Sequence, residues 1–244
     1  MNKKGDLHNI QMLILKKLLF LPHARFRDMK IEGLTTDHLT YHINTLVKQG
    51  FLQKDSQKRY TLTDMGKEFS NRMDERNASI ERQGKRGALV RVSRMNGKRH
   101  EFLFMKRLKQ PFYGCVGFHT GKIREGETIL DAANRELKEE TGLTAKLYFV
   151  GVIHYVDYKP DGEFLRDIYF YTFDGYSPKG DLIVKNKEEG VENFWATMNA
   201  IKEEKAFPGF WDNAGGISWF NISTKPPRNK KYLLYEKVRV IESY

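Results

Sequence analysis

Three glutamates, Glu136, Glu139 and Glu140, stand at spacings of i, i+3 and i+4 within GKIREGETILDAANRELKEETGL, residues 121–143. At about 100° per residue they share an arc of roughly 100° on one side of a helix. Carboxylates that close repel, by about 0.2–0.5 kcal/mol per like-charged pair. A divalent cation removes that penalty. Mg²⁺ prefers oxygen ligands, keeps several waters and is usually completed by substrate phosphates. The acidic face therefore fits a magnesium–phosphate site, although a plain solvated helix face also accounts for three glutamates taken alone.

The surrounding residues place that face on a helix. Thr128 is a capping residue with Asp131 three positions on, and Gly142 supplies the stop. Leu130, Ala133 and Leu137 gather on another, apolar side. The segment also satisfies G-x5-E-x7-R-E-U-x-E-E-x-G-U, with U aliphatic, through Gly121, Glu127, Arg135, Glu136, Leu137, Glu139, Glu140, Gly142 and Leu143. A chance match to the seven single-identity positions is on the order of 10⁻⁸ per start point.

This pattern resembles the signature of the Nudix hydrolases, and the resemblance covers about residues 86–244. It implies an α/β/α sandwich that splits the diphosphate linkage of a nucleoside diphosphate derivative. By the same resemblance Glu136, Glu139 and Glu140 bind Mg²⁺, or Mn²⁺ in its place, which lowers the pKa of a bound water for attack on phosphorus. Glu136, Glu139, Arg135 and Glu127 are then the catalytic group, with Arg135 and Glu127 as an ion pair that orients the ligands. Gly121 lies beside the substrate, where a side chain would obstruct. The general base is either a glutamate of the motif or one of Glu188, Glu189 and Glu192, which precede Phe194-Trp195. The family often has Pro-Gly before the motif's first glycine, whereas this chain has His119-Thr120.

The flanking sequence supplies strands to hold the helix. Ala88–Val92 and Glu101–Arg107 surround the turn Asn96-Gly97. In the resembling family a hairpin here carries basic residues to the substrate, which makes Lys106 and Arg107 candidates; plain surface charge is the alternative. Leu147–Val156 and Phe164–Phe173 read as two more strands about Asp161-Gly162, and Ile201–Lys205 as part of a final helix. The tail adds Phe207, Phe210, Trp211, Trp219 and Phe220, aromatic surface that either packs or stacks a base.

The first third has a different period. Residues 7–21 are mostly apolar and stop at Pro22, a short helix is expected over Arg25–Ile31, and Leu39, Ile43, Leu46 and Val47 form an amphipathic stripe ending at Gly50. Phe51–Lys54 and Arg59–Leu62 make a hairpin, followed by a helix from Asp64 past Met73. This order resembles winged helix-turn-helix domains of bacterial regulators. The expected organisation is an α+β winged helix over residues 1–80, a linker near residues 78–86, and a Nudix domain over residues 86–244. If the module binds DNA, the helix from Thr36 enters the major groove, with Thr36, His38, Thr40, Tyr41 and Asn44 facing bases or phosphates and Lys48 near the DNA backbone. Lys54, Lys58 and Arg59 on the wing then lie near phosphates or the minor groove. A winged helix used only for dimerisation is the other reading.

Composition bounds the rest. With 40% hydrophobic and 13% aromatic residues, both modules can build cores. The single cysteine excludes a disulfide framework. No apolar run reaches the roughly 20 residues of a membrane span, so a soluble, cytoplasmic protein with no membrane partner is expected. The net charge is +11, and residues 1–85 carry 16 Lys and Arg against 10 Asp and Glu, a bias that suits a polyanion. Two functions follow: a magnesium-dependent hydrolase carrying a DNA-binding module, or a transcription regulator whose Nudix domain senses a metabolite such as ADP-ribose.

Overall fold

The computed structural model describes residues 7–74, 76–211 and 232–242. The chain divides into two compact units, Met1–Arg82 and Gln83–Tyr244. Trp219 and Phe220 lie outside the described residues.

The N-terminal unit runs α1 (Asn9–Phe20), a 3-10 turn (Phe26–Met29), α2 (Thr36–Lys48), a hairpin of β1 (Leu52–Lys54) and β2 (Tyr60–Leu62), α3 (Asp64–Ser70), and two short strands, β3 (Met73–Asp74) and β4 (Ser79–Ile80). His8 caps α1, Thr35 caps α2 and Thr63 caps α3 through side-chain acceptors. Ile14, Leu15, Leu18, Leu39, Ile43 and Leu46 close one core. Val47, expected on the buried stripe, is exposed instead. The helix after Asp64 stops at Ser70, so Met73 reaches the core from a strand.

The second unit is built on a mixed sheet. Its strands are β5 (Lys85–Asn96), β6 (Arg99–Arg107), β7 (Val116–Gly117), β8 (His119–Lys122), β9 (Thr144–Tyr158), β10 (Phe164–Lys179), β11 (Lys185–Asn186), β12 (Val191–Ala196) and β13 (Leu233–Val240), with α4 (Ile129–Thr141) between β8 and β9. The order across the sheet is β11-β12-β6-β5-β10-β9-β13, with β7 on β6 and β8 on β5. Strand alternation sends Ala88, Val90 and Val92 to one face, where they meet Phe173 and the α4 residues Ala133 and Leu137. Leu89, Ile153, Tyr155 and Phe170 occupy the other face with Phe207 and Phe210.

Two expectations change here. Residues 201–205 do not form a helix; a single 3-10 turn, Met198–Ile201, leads into a loop that hydrogen-bonds to β7 through Val116 N–H to Lys205 (2.7 Å) and Phe207 N–H to Val116 (3.2 Å). Strand β13 carries no clear strand pattern in its sequence. Its inward side carries Arg239, which hides the usual apolar alternation.

Candidate active site

Helix α4 begins where Thr128 Oγ1 accepts from Asp131 N–H at 3.1 Å and ends at Gly142, whose φ of +75° suits glycine. Its seam against the sheet is Ala132, Ala133, Leu137, Glu140 and Thr141, whereas Leu130 is 47% exposed. Glu140 stands three positions after Leu137 and seven after Ala133, which puts it on the buried seam rather than among solvated acids.

Arg135 organises the acidic face. Its guanidinium grips Glu127 through both oxygens (2.6 and 2.9 Å), donates to Glu136 (2.7 Å) and Glu139 (2.9 Å), and reaches the Lys122 carbonyl (2.9 Å). The hydrogen bonds from Arg135, with one from the Arg124 backbone, hold the Glu127 carboxyl down at about 2. The arginine thus ties loop, helix and β8 together, and it also occupies Glu136 and Glu139. Among the described residues no three His, Cys, Asp or Glu side chains already converge as a ready ligand set.

Glu140 is the exception on this face. It is 6% exposed, its Oε2 has no hydrogen-bond partner, and burial together with the charges of Glu136 and Glu189 pushes its carboxyl up to about 8. A buried carboxyl facing like charges is the situation a divalent cation relieves, so the residues fit the implied metal. Of the three later glutamates, Glu189 is the one whose charge reaches Glu140, while Glu192 lies 3.8 Å from Lys185.

Asn193 holds the end of α4 in place. Its amide donates to the carbonyls of Glu140 (2.9 Å) and Ile183 (2.7 Å), which leaves its oxygen for His119 Nε2 at 2.9 Å. His119 must therefore be the Nε2–H tautomer. Burial lowers its pKa to about 4, so the ring is neutral. Sequence reading noted His119 only as a departure from Pro-Gly and missed Asn193; a lone asparagine in a strand carries no local signal.

Gly121 faces α4 with no room to spare: a Cβ there would lie 1.9 Å from Glu136 Cδ. Its neighbours Thr120 and Lys122 line a cavity of about 620 Å³ on the other face of the sheet. Strand β8 is thus a shared edge, with the glutamates on one side and the cavity on the other. Phe112, Phe118, Tyr155, Phe170, Phe207 and Phe210 supply the cavity's aromatic lining. Arg107 lines it as well, its Nε donating to the Pro111 carbonyl at 2.6 Å. Lys106, by contrast, pairs with Glu204 at 3.4 Å and does not line the cavity.

In the N-terminal unit Thr36, His38, Thr40, Tyr41, Asn44 and Lys48 are all exposed on α2, which is anchored by Leu39, Ile43 and Leu46. On the hairpin Lys58 is exposed, Lys54 lies over the Tyr60 ring, and Arg59 Nε bonds Asp55 at 2.7 Å within the turn. His42 stacks on His8 at 4.9 Å.

Comparison with known proteins gives a family and some relatives. The family model described as the NUDIX domain matches residues 85–220, more than half of the chain. The ADP-ribose pyrophosphatase of Methanocaldococcus jannaschii is 33% identical over 100 residues, covering 41% of this chain and 59% of that protein. The ADP-ribose pyrophosphatase of Saccharomyces cerevisiae is 42% identical over 62 residues, 25% of this chain and 27% of that protein. The chain thus spans less than two thirds of the length of these curated relatives. The NUDIX domain of Shewanella oneidensis NrtR, solved as a complex with ADP ribose, aligns at 13% identity and a TM-score of 0.48, covering 61% of this chain and 92% of that one.

Proposed function

The chain belongs to the NUDIX domain family, and from that premise we propose that it is a Mg²⁺-dependent hydrolase of nucleoside diphosphate derivatives, with ADP-ribose as the first substrate to test. The observation that carries this reading is Glu140, buried without a partner beside Glu136 and in the field of Glu189. Glu136, Glu139 and Glu140 would hold the divalent ion, Mg²⁺ or Mn²⁺. That ion would draw charge from the diphosphate oxygens and acidify the attacking water.

The chain's own residues supply the rest. Arg135, braced by Glu127, keeps Glu136 and Glu139 at the helix surface until the ligand set assembles. Gly121 lets the β8 backbone pack directly against Glu136, and Glu189 is our choice among the loop carboxylates for accepting the water's proton. Arg107 and Lys122 supply positive charge where the diphosphate crosses β8. The aromatic cavity receives the moiety beyond it, and its volume suits a ligand of nucleotide size. A panel of nucleoside diphosphate derivatives with Mg²⁺ or Mn²⁺, products identified by mass, tests the reading. Metal-dependent turnover that disappears in Glu139→Gln is expected; unchanged turnover in that variant removes the assignment.

The exposed face of α2 favours a second role in the same chain. We read the N-terminal unit, residues 1–80, as a winged helix-turn-helix that binds DNA through Thr36, His38, Tyr41, Asn44 and Lys48, with Lys58 and Arg59 on the wing. A regulator of this kind would have the NUDIX domain, residues 86–244, sense its nucleotide. Footprinting at low salt with and without ADP-ribose is the test. Absence of any protected site, together with a dimer lost on deleting residues 1–80, would instead make the unit a dimerisation module.

A further inference from the structure

The carbonyls at the end of α4 are received by one segment, residues 183–193, and by Gly142. A helix leaves its last four carbonyls without partners of its own. Here Gly142 N–H takes that of Lys138 at 2.9 Å, and Ile183 N–H takes that of Thr141 at 2.9 Å. The two between them belong to Glu139 and Glu140, and both go to asparagine amides. Asn186 Nδ2 donates to the Glu139 carbonyl at 2.9 Å and to the Glu140 carbonyl at 3.2 Å. Asn193 Nδ2 adds a second bond to Glu140 at 2.9 Å.

The two asparagines differ in what their oxygens do. Asn193 turns its oxygen to buried His119, whereas Asn186 Oδ1 accepts from the backbone N–H of Glu189 at 3.2 Å. The Asn186 amide has one orientation that satisfies these partners, since carbonyls only accept and an N–H only donates. A single half-buried side chain on β11 therefore bridges the backbone of two proposed metal ligands and the backbone of the proposed base. The far side of the loop is held as well. Asn186 pairs with Val191, which leaves residues 187–190 as the connection. The Gly190 carbonyl accepts from Leu108 N–H at 2.8 Å, and Lys109 Nζ lies 3.8 Å from the Glu189 carboxylate. Glu188, by contrast, is exposed, and Glu192 sits on β12 opposite Lys106.

We infer that Asn186 is a positioning residue for hydrolysis, tying the Glu189 loop to the end of α4 so that the base stands at a set distance from the metal-binding glutamates. The inference rests on the hydrolase reading and deepens it by naming what aims Glu189. Asn186 does not line the cavity, so its effect passes through Glu189. Truncating it unties loop from helix, while Asn193 and Ile183 still hold the helix end. The loss belongs in kcat, with KM, which the cavity sets, nearly unchanged. A misplacement of about 1 Å costs on the order of 10²-fold.

Two measurements test this. In metal-free protein, NMR hydrogen exchange of the Glu189 amide should be at least tenfold faster in Asn186→Ala than in wild type, with the Ile183 amide within about twofold. With ADP-ribose and Mg²⁺, Asn186→Ala should lower kcat at least tenfold and leave KM within about threefold. In a Glu189→Gln background the same truncation should cost less than about twofold, because the group it aims is already gone. A merely structural loosening would cost as much in both backgrounds. Asn186→Ser offers a hydroxyl of the kind that accepts an N–H three residues on, but does not reach the α4 carbonyls. It should keep the Glu189 amide protected and kcat low. Melting temperatures check that the variants fold. An unchanged Glu189 amide in Asn186→Ala overturns the inference, as do equal losses in the two backgrounds or wild-type kcat in Asn186→Ser. Absence of wild-type turnover beside a released Glu189 amide leaves the Asn186 tie standing and counts against the hydrolase reading alone.

Discussion

Gly121 and Glu136 are packed so closely that any side chain at position 121 would occupy the space of the carboxylate. A Cβ would sit 1.9 Å from Cδ and 2.2 Å from Oε2 of Glu136. Gly121→Ala must therefore expel Glu136 from its contact with Arg135 or shift β8. A displacement of about 1 Å at such a site costs on the order of 10²-fold in rate, and overpacking costs about 1–3 kcal/mol of stability. Turnover and thermal unfolding of Gly121→Ala measure both. Wild-type kcat with a wild-type Tm would mean that Glu136 is not needed where it stands.

Glu140 predicts a trade between stability and function. Its carboxyl is raised from an ordinary value near 4.5 to about 8, so the folded state binds the proton more tightly than the unfolded chain. The sign follows: stability is full below about pH 4.5 and falls as the pH rises through 8. In metal-free protein at pH 9, Glu140→Gln should be more stable than wild type by on the order of 5 kcal/mol, with the difference gone at pH 4. The same variant should lose Mg²⁺-dependent activity. Chemical denaturation in EDTA across this pH range is the measurement, and a variant less stable than wild type at pH 9 would contradict it.

The local sequence carried the acidic helix and its caps, because those depend on spacing along one helix, whereas the pairing of Arg135 with Glu127 was implied by the family resemblance. Spacing alone put Leu130 on the buried side and grouped Glu140 with Glu136 and Glu139 on one acidic face, because burial depends on which face meets the sheet. Stepping seven residues from Ala133 through Leu137 would have put Glu140 on the seam. Asn193, Asp157 and Arg239 were invisible for a different reason. Each acts through partners tens of residues away, such as the 82 positions that separate Asp157 from Arg239. Long-range register, not local pattern, brings them together.

His119 gives a second pH dependence, of opposite sense. Burial lowers its pKa from 6.5 to about 4, so the neutral ring is the folded form. Stability is full above pH 6.5 and is lost as the pH falls toward 4. The full effect is on the order of 3 kcal/mol. His119→Gln keeps a donor for Asn193 but no titrating ring, and its stability should vary less between pH 7 and 4.5 than that of wild type. Parallel melting curves for the two proteins over that interval would show that His119 is not the group responsible.

Arg239 reaches the cavity wall through the backbone. Its Nη1 donates to the carbonyl of Pro208, next to Phe207 and close to Phe210, and its Nε and Nη2 are fixed on buried Asp157. Removing the guanidinium leaves a buried carboxylate with fewer partners, a change that typically costs about 3–5 kcal/mol when a buried pair is broken; here Arg166 retains one bond and should soften the loss. The effect on catalysis should be selective. Glu136, Glu139 and Glu140 lie on the other side of β8, so the chemical step should persist while the aromatic wall loosens. Arg239→Gln should raise KM for ADP-ribose about tenfold or more, with kcat within about threefold of wild type, the mark of lost binding rather than lost transition-state stabilisation. Steady-state kinetics at a temperature well below the variant's Tm separate the two parameters. A fall in kcat with KM unchanged would mean that β13 supports the glutamate face rather than the cavity.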